Sequence, residues 1–291
     1  MSNTRSTYSE AVIMNALFTG DYTALGGSFE DDELTRVHDG LFYGASNLTS
    51  VSIPNATQIG ANAFYGNTLT TLNLSWGKIT SVGSAAFYNC SLPSSCEDLV
   101  LSSVTTLGAG VFGRSSTSVG SAWLKTFSAP LWNGNITKEN YRVITPSSNG
   151  IFTEQRNLVS VNLPSLINIP NSLFQFCTNL TEVDFPKVSN IESNAFTGCS
   201  KLKKIRVGGA ITSLSYIFLS SASAFESLIL SGLTSVPTLG SNTFRNTRIA
   251  SGVAYVYVPK ALEDTIKAAS IWSTYASQIR AIEDYPEICD Y

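Results

Sequence analysis

Charge is scarce in this 291-residue sequence. Asp, Glu, Lys and Arg make up only 13%, with 21 acidic and 18 basic side chains and a net charge of −3. That is about half the usual share. Such a balance offers little to a phosphate backbone or an anionic bilayer, so neither nucleic acid nor membrane insertion is expected. No stretch approaches the ~20 apolar residues of a membrane-spanning helix. Histidine is nearly absent, His38 being the single one. A Ser-His-Asp or Cys-His site would have to use it, yet it stands between Val37 and Asp39 in what reads as a surface turn. One histidine also excludes the His-rich zinc sites. The five cysteines contain no C-x-x-C pair, which removes the other common metal pattern. There is no P-loop, no G-x-G-x-x-G after a strand and no G-x-S-x-G. An enzyme is therefore not expected, and no cofactor is implied. The first residues, MSNTRSTYSEAVIMNALFTGDY, have a short apolar segment broken by Asn15 and preceded by Glu10, which does not fit a secretory leader.

What the chain has is repetition. Residues 180–199 read LTEVDFPKVSNIESNAFTGC. Phe196 has counterparts at Phe42, Phe64, Phe87, Phe112, Phe152, Phe174, Phe218 and Phe244, spaced by 22, 23, 25, 40, 22, 22, 22 and 26 residues. Fixed periods of this length mark stacked repeats. The pair Val183 and Phe185 returns as Val51 and Ile53, Leu72 and Leu74, Leu99 and Leu101, Val161 and Leu163, Ile205 and Val207, and Leu228 and Leu230. Apolar-x-apolar spacing predicts a short strand with one buried face. Pro186 matches Pro54, Pro130, Pro164 and Pro259, and proline, lacking an N–H, ends a strand and turns the chain. Ile191, with Val37, Ile59, Val82, Leu107 and Ile169, supplies a second buried anchor. The segment around Ala195 and Phe196 is expected to be a short helical or irregular turn. One unit cannot bury its own apolar edge, but stacked units bury Leu on Leu and Phe on Phe. The expected architecture is an α/β solenoid with a parallel sheet of short strands.

The skeleton L-x-x-V-x-L-P-x-x-x-x-x-I-x-x-x-A-F-x-x-C, matched by residues 180–199, resembles the BspA-type leucine-rich repeat family. The resemblance runs from about Leu34 to Pro259. It implies a leucine-rich repeat array, and a surface or secreted protein of a host-associated microbe that binds host proteins or other cells.

An array needs caps because its end coils expose core. Residues 1–33 are expected to supply the first, with a helix over Glu10–Phe18, and residues 260–291 the second, with apolar residues at helical spacing. The array proper is placed at 34–259. Its 40-residue interval between Phe112 and Phe152 carries 18 residues beyond a 22-residue unit, an insertion at about 113–150. Insertions in arrays emerge as loops on one face. Trp132, Tyr141 and Arg142 of the insertion are therefore candidate partner contacts, although Trp123 and Trp132 also suit a role covering the enlarged coil. Tyr255 and Tyr257, on the exposed face of the last strand, complete the candidates.

Cys90, Cys177 and Cys199 share one repeat position, three after the marker Phe, where Ala45, Ser221 and Thr247 also stand. The position reads as small and buried, with the thiols free. Glu182 aligns with Lys204 and Asp184 with Arg206, each 22 residues on, so the one basic cluster is expected to pair across strands.

Three functions follow. The first is a non-enzymatic binding or adhesion protein that presents its repeat surface to a protein or glycan on a cell surface. The second takes the missing leader as its cue: a virion component, such as a phage tail or receptor-binding accessory. The third, an enzyme of unknown type, has no residue in its favour. The expected location is extracellular, on a cell surface or in a virion.

Overall fold

A computed structural model describes residues 15–16, 18–115, 122–137, 150–214, 218–240 and 242–289. Across them the chain winds in coils, and each coil lays down two short parallel strands, a primary and a secondary one. Primary strands form three sheets: Ser28–Glu30, Ser50–Ser52 and Thr71–Asn73; Asp98–Val100, Thr126–Ser128 and Ser160–Asn162; and Glu182–Phe185, Lys204–Val207, Ser227–Leu230, Tyr255–Val258 and Ile279–Ala281. Secondary strands form two: Arg36–Val37, Gln58–Ile59, Ser81–Val82, Thr106–Gly108 and Ile136–Thr137; then Asn168–Ile169, Asn190–Ile191, Ser213–Leu214 and Thr238–Leu239.

The interruptions are staggered, which is why the stack stays continuous. Where the primary sheet breaks after Asn73, the secondary pairing Ser81↔Thr106 and Val82↔Leu107 carries across. Where the secondary sheet breaks after Thr137, the primary pairing Val161↔Phe127 does so. Where the primary sheet breaks again after Asn162, Ile169↔Ile191 holds the coils together. The first break coincides with a longer coil, in which Trp76–Lys78 and Ser94–Cys96 form 3₁₀ turns and Trp76 packs on Phe87 at 5.5 Å.

The apolar-x-apolar pairs all point inward. Val51, Ile53, Leu99, Leu101, Phe185, Ile205, Val207, Leu228 and Leu230 are buried, and Val161 is half-buried. The marker phenylalanines form a ladder along the axis. Phe42, Phe64, Phe87, Phe112, Phe152, Phe174 and Phe196 stack with ring centroids 5.0–6.0 Å apart, within the range where aromatic pairs add to simple burial. Backbone hydrogen bonds join the coils at this corner too, such as Phe64 N–H to Ala86 O and Phe174 N–H to Ala195 O.

The α/β expectation needs correction. The phenylalanine corner is an irregular turn in every described coil, so the array is a parallel-strand β-solenoid. Left-handed residues flank the Phe and stop a helix from propagating. Asn62 and Gly66 surround Phe64, Ser172 and Phe176 surround Phe174, and Asn194 and Gly198 surround Phe196, all with φ between 55° and 76°. Such dihedrals cannot be extended into a right-handed helix. Of the helical caps expected at both ends, the C-terminal end carries a helix, Lys260–Ala268. At the N-terminus only Asn15, Ala16, Phe18 and Thr19 are described as helical, and the rest of the expected helix lies outside the described residues. The first parallel strand, Ser28–Glu30, falls inside the segment expected to be cap, and Phe29 takes the Val51 position one coil earlier.

At the other end the helix Lys260–Ala268 buries Ile266. The following 3₁₀ segment lays Trp272 and Tyr275 on Phe244 at 5.9 and 5.3 Å, closing the aromatic ladder. The Trp272 indole donates to Pro237 O at 2.7 Å, so the buried N–H is satisfied.

Candidate functional site

The outer face of the primary strands runs along all three primary sheets. In the first two it is mostly polar, with Val100 exposed among the polar residues, and uncovered among the described residues. Ser52 and Asn73 stand side by side with an Asn73 Nδ2 to Ser52 Oγ hydrogen bond of 2.9 Å. Asn162 donates to Ser128 Oγ at 3.3 Å in the same way. These rows arise because the strand period of two sends every other residue outward.

In the third sheet the face becomes charged. The register sets Glu182 opposite Lys204 and Asp184 opposite Arg206, as the 22-residue offset predicts. Burial raises the Asp184 carboxyl above its usual range, and the Arg206 charge opposes that rise. Arg206 itself is buried.

Two outward positions of this face are corrected, one of them the candidate contact Tyr257. Tyr257 is only 1% exposed, and Ile229 beside it is equally covered. The sequence places both outward, and so they are. However, residues 279–289 return over this end of the sheet and bring Ile282, Tyr285 and Ile288 against them. Strand Ile279–Ala281 adds to Tyr255–Val258, and Tyr285 meets Tyr257 edge-on at 5.7 Å. Tyr255 remains half-exposed, with the Arg280 guanidinium 3.4 Å from its ring centroid and 4.8 Å from that of Tyr285. A cation between two ring faces is an attractive arrangement, and it fastens the covering segment to the sheet.

The insertion gives a third correction. Trp132 has no exposed surface, and its indole donates to Asn135 O at 3.0 Å. Trp123 is buried against Phe112 in an edge-on contact at 5.8 Å. Both tryptophans fill the enlarged coil, so Trp132 has no side chain to offer a partner. Tyr141 and Arg142 lie outside the described residues.

The shared cysteine position carries a function that a size argument overlooks. Cys90 Sγ donates to Phe64 O at 2.7 Å, Cys177 to Phe152 O at 3.2 Å and Cys199 to Phe174 O at 3.0 Å. Each thiol adds a second donor to the carbonyl of the marker Phe one coil earlier, which already accepts a backbone N–H three residues on in its own coil. Gln155, at the same position, donates to Phe112 O at 2.6 Å, and Asn67 to Ala45 O at 3.1 Å. The position admits a donor that ties one coil to the one before, although Ala45 shows that it does not require one. Cys90, Cys96, Cys177 and Cys199 are free thiols. Burial pushes Cys90 and Cys199 up to about 12 and holds Cys177 well above the ordinary thiol range. Such thiols stay protonated and inert. Among the described residues no group of three or more His, Cys, Asp and Glu is placed to hold a metal ion. No helix among them is long and apolar enough to cross a membrane.

Comparison with known proteins agrees with this geometry. A family model described as "BspA type Leucine rich repeat region" matches in six copies over residues 21–122 and 147–264. Among solved structures, a leucine-rich cell surface protein from Faecalibacterium prausnitzii A2-165 is 16% identical. The match covers 85% of this chain and 82% of that one, with a TM-score of 0.49. The pneumococcal vaccine antigen PcpA is 15% identical over 87% of this chain and 76% of its own, with a TM-score of 0.47. A leucine-rich repeat protein from Bacteroides ovatus ATCC 8483 is 16% identical over 88% and 83%, with a TM-score of 0.28. No curated protein matches the sequence.

Proposed function

Because the chain belongs to the BspA-type leucine-rich repeat family, we propose that it is a non-enzymatic binding protein acting in adhesion, with a protein or glycan of a cell surface as its partner. The observation that carries this reading is the open polar face of the primary strands. Ser52, Asn73, Ser128 and Asn162 form rows at strand spacing with nothing laid over them among the described residues, broken by the exposed Val100 beside Ser128, whereas Ile229 and Tyr257 of the same face are covered by the chain itself. A largely polar open face with an apolar residue among its hydrogen-bonding groups suits a contact with a large partner. Tyr255, half-exposed at the end of the face, and Tyr141 and Arg142 of the insertion extend the proposed contact set. Such a role places the protein outside the cell or at its surface. The family match favours this over the virion reading, which has no similar support.

The test is binding of the purified protein to a glycan array and to host-cell surface extracts. Specific capture of one class of molecule is expected. Replacing Asn73 and Asn162 by Lys should weaken that capture at least about tenfold, since each loses a hydrogen-bonding group and adds bulk. Absence of binding to both preparations overturns the reading.

A further inference from the structure

A second surface, on the secondary strands, is built differently in the first four coils and in those of Asn168 and Asn190. The outward residues Arg36, Gln58, Ser81 and Thr106 face one another in register along four successive coils. They line a groove of about 190 Å³ together with the Asp39 carboxylate. The floor is backbone: a Cβ at Gly83 would come within 2.4 Å of Ala61 N, so the coil packing itself forbids a side chain there. None of the four outward side chains hydrogen-bonds to another group among the described residues, and Arg36 makes no ion pair with them. Asp39 is held in place through one oxygen, which accepts the Ala61 N–H at 3.0 Å, and it places its negative charge beside the groove.

In the coils of Asn168 and Asn190 the same positions are filled and self-satisfied. Glu192 stands where Gly60, Gly83 and Gly108 stand earlier and Gly240 stands later, one residue after the buried anchor. Its carboxylate accepts Asn168 Nδ2 at 2.9 Å and Asn171 N–H at 3.0 Å, and Asn190 donates to Asn168 at 2.6 Å. The scaffold therefore permits a closed version of this surface, and the N-terminal half leaves it open with a guanidinium, an amide and two hydroxyls directed into one groove.

We propose that this groove binds a carboxylate-bearing saccharide. Resting on the adhesion reading above, the proposal names its partner chemistry. Arg36 takes the carboxylate, for which a guanidinium has matched donor geometry. Gln58, Ser81 and Thr106 take successive sugar hydroxyls, since both amide and hydroxyl groups donate and accept. Strand spacing of ~4.8 Å sets these groups about one sugar ring apart. The groove has few apolar walls, which disfavours peptide side chains as occupants.

The experiment is titration of the full chain with tri-galacturonate, with the neutral tri-galactose as control, by calorimetry at low and moderate salt. The acidic trimer should bind at least about tenfold more tightly than the neutral one, the worth of one charge-assisted contact. Arg36→Gln should abolish that preference. Ser81→Glu, which places a carboxylate in the groove, should abolish binding of the acidic trimer. Both sites are on the surface, and unchanged thermal melting will show that the fold is intact. Equal affinity for the two trimers, no binding of either, or acidic-trimer binding unchanged by both variants overturns the proposal. So does an Asp-rich peptide that binds through Arg36 more tightly than the saccharide. If the intact protein still captures cell-surface material while the trimer fails, this proposal falls and the adhesion reading stands.

Discussion

Cys199 shows how much one repeat position decides. Its thiol is fully buried and donates to Phe174 O at 3.0 Å. That carbonyl also accepts the Cys177 N–H at 3.0 Å, so Cys199→Val keeps the volume but removes one of its two donors, whereas Cys199→Thr restores it. Val is expected to cost about 0.5–1.5 kcal/mol in urea unfolding and Thr clearly less; equal losses would reduce the position to a matter of size. The same thiols predict a pH dependence. Cys90 and Cys199 titrate at about 12 in the fold, against 9.0 unperturbed, and Tyr22 at about 12 against 10.0, in each case because burial disfavours the charged form. At pH above 9 the unfolded chain releases protons that the folded chain retains, so the unfolded state is favoured as pH rises. Their stabilisation is thus complete below about pH 8 and is lost between about 9 and 12. Melting under reducing conditions should show a flat Tm from pH 6 to 8 and a fall above 9. A Tm that holds to pH 11 would contradict the burial of these groups.

Strand pairing is the next scale, and the charged pairs test its register. Lys204 lies opposite Glu182. Lys204→Glu therefore sets like charges side by side and should cost roughly 0.2–1 kcal/mol, and adding Glu182→Lys should recover it. No recovery in the double variant, measured by urea unfolding, would mean that the two side chains do not meet. The 22-residue offset made this register legible before any coordinates. The cover over Ile229 and Tyr257 was not legible in that way. The pattern of alternate residues assigns both to the outer face correctly, but it contains no information about residues 279–289 returning across that face. Trp132 stood open for a related reason: an insertion of that length reads either as an exposed loop or as a wider coil covered by its tryptophans, and the packing decides for the second.

Across the whole molecule, the phenylalanine ladder makes the ends the weakest point. Each coil is stabilised by its neighbours, so a terminal coil without a cap exposes its core. Trp272 and Tyr275 cover Phe244, and Ile266 seals the same end. Removal of residues 260–291 should cost at least about 3–5 kcal/mol, the usual loss when a large aromatic leaves a core. It should also produce dye binding by exposed apolar surface, read by fluorescence alongside thermal melting. An unaltered melt would show that the array closes itself without this segment.

The sequence by itself determined the repeat, its period, the inward residues, the prolines that turn the chain and the partners across strands. These are local or periodic properties, and a stack of near-identical units converts them directly into three dimensions. The tertiary structure decided what periodicity does not encode. Left-handed residues beside phenylalanines such as Phe64, Phe174 and Phe196 make the corner a turn and not a helix. A side-chain donor to a carbonyl of the coil before ties neighbouring coils together where Cys, Asn and Gln share one place. The C-terminal segment closes part of the outer face, and glycines, forced by contact between coils, leave a polar groove open in one half of the array. Each of these depends on which groups from distant coils meet, and on whether their polar atoms find partners there.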